Sequence, residues 1–134
     1  MNLDSAGLLI LTRQQCLELL SLTPVGRIVF TDRALPSVQP VNFLLDGQSI
    51  VIRTASASKL AAATRDAVVA FEADDIDVTT RTGWSVTAVG HATAVTQPHQ
   101  IQRLATLPLI RWAPGGQDHY IMIHTEQISG RRLT

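Results

Sequence analysis

Apolar residues recur along the chain with two different spacings, and the switches between them mark out the elements. Thr12-Arg13-Gln14-Gln15 has the spacing of a capping box, in which the Thr12 hydroxyl caps the third helical N–H and Gln15 reaches back. A helix over residues 13–22 follows, with Cys16, Leu17, Leu19 and Leu20 on one stripe, and Thr23-Pro24 stops it. That stripe must pack on something, so Cys16 is read as a packing residue rather than a reactive thiol. Beyond it the period shortens to two. Residues 25–31, 38–44 and 49–54 read as strands, and Asp46-Gly47 as a hairpin turn, because these residue types tolerate positive φ. Residues 58–64 suggest a short Ala-rich helix and 67–73 a strongly apolar strand. The acids at Glu72, Asp74, Asp75 and Asp77 read as a solvated turn, lacking the glycine and ligand spacing of a calcium loop.

Residues 83–95 form the longest strand candidate, Trp84, Val86 and Ala88 alternating with Ser85, Thr87 and Val89, and Gly90 marks a bend or bulge. Pro98 opens a further short helix through Ile101, Leu104 and Ala105 that ends before Pro108. Residues 112–116 read as a loop and 120–124 as another strand. About six strands with only short helices predict a mainly β fold, a small antiparallel barrel, since closure is how such a sheet avoids exposed edges.

Composition limits what such a barrel can do. The 134 residues are the size of one domain, 1–134, and with 46% hydrophobic against 16% charged residues the chain can bury a core. Eleven basic residues offset eleven acidic ones, so there is no electrostatic footprint for nucleic acid or an anionic membrane. The basic set is lopsided: ten are Arg, and Lys59 is the single Lys. One cysteine excludes an internal disulfide framework or a cysteine-rich metal site. The apolar run at residues 8–11 is too short for a membrane span, and Asp4 stands where a signal peptide would carry positive charge, which points to a soluble, cytoplasmic protein.

Hydrolase elbows, P-loops and dinucleotide glycine fingerprints are absent. His119 and His124, five apart, fall on opposite faces if one strand carries both. His91 and His99 have no acid or cysteine near them in sequence, and read as surface or structural residues. Residues 53–63 differ. A strand end carrying Arg53 and Thr54 passes through small residues into a helix start at Ser58 and Lys59. Such a junction favours an anion, and Lys59 in the first turn opposes the helix dipole unless one is present. Arg53, Lys59, Thr54 and Ser58 could together grip a phosphate. The other reading is a solvated Lys59 and an Arg53 paired to an acid such as Glu72 or Asp66.

A wider pattern bears on that choice. An Asp-Gly hairpin, a strand ending Arg-Thr, Ser-Lys opening a helix, the strand Val68-Val69-Ala70-Phe71-Glu72 and the strand Trp84-Ser85-Val86-Thr87-Ala88-Val89-Gly90 follow in order. With the segments at 112–120 and 128–132, this order resembles the pyridoxamine 5′-phosphate oxidase-like family of FMN-binding split β-barrels, specifically a small bacterial branch. The resemblance implies a six-stranded antiparallel split β-barrel, a homodimer with two cofactor sites at the subunit interface, and FMN as cofactor. It places the flavin phosphate at Arg53, Thr54, Ser58 and Lys59, and the isoalloxazine ring along Pro40, Val41, Asn42 and Phe43. Ser85 matches a position where many members carry a longer Gln that reaches the flavin. The implied activity is oxidation or reduction of a small molecule, with Trp112, His119 and Tyr120 as candidates to line the substrate pocket. The same fold also accommodates the deazaflavin F420, and haem in some branches, for which His91, His119 or His124 would be the axial ligand. A non-catalytic flavin carrier or sensor is the alternative class; a metal site is not expected.

Overall fold

The computed structural model describes residues 2–111 and 115–133. Its strands are β1 (Leu9–Ile10), β2 (Val25–Asp32), β3 (Leu35–Asp46), β4 (Ser49–Ala55), β5 (Ala67–Asp77), β6 (Thr82–Ala94), β7 (Asp118–His124) and β8 (Gln127–Leu133). Three helices join them: α1 (Arg13–Leu20), α2 (Lys59–Ala63) and α3 (Pro98–Ala105). The strands pair in the order β1-β8-β6-β5-β2-β3-β4-β7, and β7 pairs again with β6. That second contact closes six strands into an antiparallel barrel and leaves β8 and β1 as an extension outside it.

Alternation along each strand decides which side chains fill the barrel. Ile28 and Phe30 of β2, Val41 and Phe43 of β3, Ile50 and Ile52 of β4, and Phe71 and Ala73 of β5 point inward with Trp84, Val86 and Ala88 of β6. Cys16 and Leu20 of α1 and Leu60 of α2 join this core. Burial raises the Cys16 thiol above its usual range, in keeping with a packing role. On the outer side of β4 and β7, α3 covers a second cluster of Val51, Leu104, Leu109 and Tyr120.

Closure depends on one glycine. The first half of β6 pairs with β8 from Gly83↔Leu133 to Val89↔Gln127, and its last residues pair with β7 from Ala92↔Ile123 to Ala94↔Ile121. Gly90 lies at the changeover, beneath the corner joining β7 to β8, where a Cβ would overlap the His124 carbonyl oxygen. Only a residue without a side chain lets the corner come that close.

Several expectations are sharpened or corrected. The capping box is present, with Gln15 N–H donating to Thr12 Oγ1 and Thr12 N–H to Gln15 Oε1, and the helix ends at Leu20 because Pro24 disfavours helical geometry just before it. The hairpin turn is Gly47-Gln48, with Gly47 at φ 62° and Asp46 already paired to Ser49. The acidic segment is not a turn: β5 continues to Asp77, paired rung by rung with β6 as far as Thr82. Arg27 on the adjacent β2 meets Glu72 and Asp74, which lowers the cost of carboxylates inside a strand. β8 and the short β1 were not anticipated. His91 does have an acid partner, Glu126, at 2.8 Å, brought in by the β7–β8 corner. No described helix is long and apolar enough to cross a membrane, and no group of three metal-ligating side chains gathers among the described residues.

Replacing Gly90 with Ala is expected to destabilise the protein by about 2 kcal/mol or more, since the opposing atoms are backbone and cannot swing aside. A thermal or urea melt of G90A against the parent measures this.

Candidate functional site

β3 and β4 leave their hairpin as a pair and then part. Their ladder runs from Asp46↔Ser49 to Phe43↔Ile52 and stops there. Continued in register, it would join Asn42 to Arg53, Val41 to Thr54 and Pro40 to Ala55. Instead β3 stays with β2 from Asn42↔Val25 to Leu35↔Asp32, while β4 stays with β7 through Arg53↔Tyr120, Thr54↔His119 and Ala55↔Asp118. Those six separated residues, with Gln39, Ser58, Ile110 and Arg111, line a cleft of about 160 Å³.

Alternation of backbone groups shows what faces this gap. The Phe43 N–H donates to the Pro24 carbonyl on the β2 side at 3.2 Å, so Asn42 and Pro40 turn their backbone groups toward β4. Pro40 has no N–H to give, and the ladder loses a donor where the strands separate. On the other wall the Ser56 N–H donates to Gln117 on the β7 side at 2.8 Å, which turns the backbone of Arg53 and Ala55 into the gap.

Arg53 joins the two sides of its own wall. One guanidinium nitrogen donates to the Leu109 carbonyl at 2.9 Å and another to Asp118 Oδ2 at 2.6 Å, with the Tyr120 ring centroid 5.8 Å away. Its acid partner is therefore Asp118, neither Glu72 nor Asp66. The hydrogen bond from Arg53, and then the fields of Arg53 and Arg111, hold the Asp118 carboxyl below the usual carboxylate range despite partial burial. Arg111 Nε approaches Asp118 Oδ1 at 3.4 Å. Two guanidinium groups thus share one carboxylate, and the site keeps a net positive charge. Arg53 Nε is buried without a hydrogen-bond partner, a donor that a buried site ordinarily satisfies. Ser58 caps α2: its hydroxyl oxygen accepts from the Ala61 N–H at 3.0 Å and from the Thr54 hydroxyl at 3.1 Å. With both acceptor positions used, its own proton is left to donate.

The structure thus gathers Arg53, Thr54, Ser58, Pro40, Val41 and Asn42 around one cleft. Other residues singled out in the sequence lie elsewhere. Lys59 does not line the cleft; its Nζ lies 3.5 Å from Asp32 Oδ2, and this carboxylate supplies the negative charge that its place in the first turn called for. Ser85 is on β6 between Asp74 and Arg131, three strands away from Asn42. His119 pairs across to Thr54 but is not in the lining; burial, and then the field of Arg65, hold its imidazole below the usual histidine range. His124 lies on the opposite face of the same strand, as the spacing required. Tyr120 is buried beneath Arg53 in the α3-covered cluster, and Trp112 lies outside the described residues. Sequence reasoning missed Arg111 and Asp118. The available signal was the opposite charge of Arg111 and Asp118, seven positions apart on either side of Gly115-Gly116.

On β5, Asp74, the partner of Ser85, shares Arg27 with Glu72, at 3.6 and 3.5 Å. Partial burial and then the Asp74 carboxyl push Glu72 up to about 7 from 4.5. Between those values the folded protein holds a proton that the unfolded chain has released, so stability is lost as the pH rises through that window. Relative to Glu72→Gln, a comparison that cancels the opposite contribution of the depressed His119, the melting temperature of the parent is expected to fall between about pH 4.5 and about pH 7. Melting curves across the range read the difference.

With the geometry in place, comparison with known proteins is specific. The family model described as pyridoxamine 5′-phosphate oxidase matches residues 12–132. The chain belongs to this family, and its closed six-stranded barrel is the family's split β-barrel. The FAD-binding protein of Mycobacterium smegmatis has a similar structure, with a TM-score of 0.79 and 34% identity, covering 92% of this chain and 96% of that one. A Corynebacterium glutamicum protein described as a candidate pyridoxamine 5′-phosphate oxidase gives 0.83 at 34% identity, covering 95% and 93%. An uncharacterized protein of Mycobacterium tuberculosis is 39% identical over 128 residues, 92% of this chain and 84% of that protein.

Proposed function

We propose that this protein is a flavin-dependent oxidoreductase that seats the flavin phosphate in the cleft between β3 and β4 and lays the ring along Pro40, Val41 and Asn42. The observation that carries this reading is the parting of the two strands beyond Phe43↔Ile52. It leaves free backbone groups on one wall and cationic side chains on the other. The Arg53 guanidinium and the free Ser58 proton suit the oxygens of a phosphate, which would share Arg53 and Arg111 with Asp118. Lys59 stays at Asp32 in this reading.

The ligand in the name of the Mycobacterium smegmatis relative supports a flavin. FMN and FAD have in common the ring and the phosphate that the cleft would hold. A bound flavin would supply electron or hydride transfer at its ring, and the protein supplies orientation and a positive field. F420 carries a phosphate that the same cationic groups would hold, and its spectrum distinguishes it.

The expected partner is a second copy of the chain. Val38, Val29, Ala70 and Val89 lie side by side across the outer face of β3, β2, β5 and β6, and Val38 is 63% exposed. Burying such a row is what a dimer of barrels would achieve. Light scattering should give twice the chain mass, and Val38→Asp should shift the protein toward monomer. A wild-type monomer would count against an interface-built site.

The protein as isolated, or after adding FMN or FAD, should absorb near about 450 nm. Arg53→Ala and Arg111→Ala are each expected to weaken flavin binding by about 1–3 kcal/mol, and Lys59→Ala by less than about 0.5 kcal/mol. Titration by flavin fluorescence quenching reads all three, and a melt of R53A separates a lost ligand contact from a loosened fold. Failure of the wild type to take up any flavin would end the proposal.

A further inference from the structure

Beyond the cleft, a second and larger groove of about 460 Å³ opens along β3. Asn42 and Ile110 border both cavities, and the Asn42 side-chain amide donates to the Ile110 carbonyl at 3.3 Å, forming the partition between them. Leu20, Phe43 and Leu109, each at most 3% exposed, form the floor. Leu22 and Ile110 stand at its edge, 78% and 69% exposed.

The two cavities differ in chemistry. Arg53 and Arg111 line the cleft, whereas no described residue lining the groove is ionisable. Among the described residues its polar side chains are Ser21, Thr23 and Asn42, and uncharged main-chain groups supply the rest of its polar surface. A charged molecule entering it would lose hydration and find no counter-charge. An apolar molecule would cover hydrocarbon that now faces water, in a volume within the range of small-molecule sites, roughly 300–1,000 Å³.

The geometry points to a binding site for a neutral, largely apolar small molecule, of the size of a bicyclic aromatic or a quinone, held beside the cleft at the Asn42–Ile110 partition. As the flavin's reaction partner, this molecule depends on the function proposed above; as an occupant of the groove, it does not.

N-phenyl-1-naphthylamine is a neutral probe that brightens in apolar surroundings, and 8-anilinonaphthalene-1-sulfonate is the same skeleton carrying a negative charge. Titrated into the full chain, the neutral probe should bind saturably at one site per chain, and the sulfonate at least about tenfold more weakly. Leu22→Asp and Leu22→Lys change a residue too exposed to disturb the core. Each should weaken the neutral probe about fivefold or more, while Lys59→Ala, at a residue that lines neither cavity, leaves it within about twofold. The inference is overturned if the neutral probe does not saturate, if the sulfonate binds as well, or if both Leu22 variants bind like the parent. It is equally overturned if either Leu22 variant lowers the mass seen by light scattering, because the groove is then a contact between subunits. Neutral-probe binding without flavin binding leaves the groove standing and removes the flavin reading; flavin binding without probe binding does the reverse.

Discussion

The fold turns on the way β6 divides one edge between two partners. β8 occupies that edge up to Val89, β7 takes it from Ala92, and the corner between them passes over Gly90. A side chain at Gly90 would push the corner away and open the barrel, because the facing atoms are main-chain and fixed by their own pairing. With closure in place, β4 has β7 along its outer edge, α3 finds a surface to cover, and the inward face of every strand becomes one core. The rest of the architecture is a consequence of that junction.

A closed barrel should leave no edges, yet this one keeps two. β3 and β4 each hold a neighbour on the far side, β2 and β7, and separate from one another after Phe43↔Ile52. A half-exposed strand edge without a partner leaves its backbone groups to water or to a ligand. Pro40 lessens this on one wall by having no N–H to leave unpaired. On the other wall, Arg53 spans β4, Asp118 of β7 and the Leu109 carbonyl, which holds the segment before Arg111 against the strands. The same arginine therefore shapes the cleft and charges it.

Charge in this protein is local. Overall neutrality conceals a cleft where two guanidinium groups share a single carboxylate, next to a groove whose described lining holds no ionisable group. The partition between a cationic and an uncharged cavity is one side-chain hydrogen bond, from Asn42 to Ile110. A two-part ligand arrangement, anionic on one side and apolar on the other, is what such a boundary can distinguish.

The sequence by itself determined the six barrel strands and the short helices, because period-two and helical spacing, the capping box at Thr12 and the glycine at 47 act within a few residues. It also singled out Arg53, Thr54 and Ser58 and, through family resemblance, Pro40, Val41 and Asn42. These six line one cleft. It misread the acids at 72–77, since the arginine that meets Glu72 and Asp74 lies 45 positions upstream of the first of them. For the same reason it could not see that Asp118 rather than Glu72 or Asp66 pairs with Arg53, that Lys59 is held by Asp32, or that Arg111 joins the site. Salt bridges and cavity walls depend on which strands become neighbours. That choice was made only when the barrel closed, by packing and pairing between segments distant in the chain.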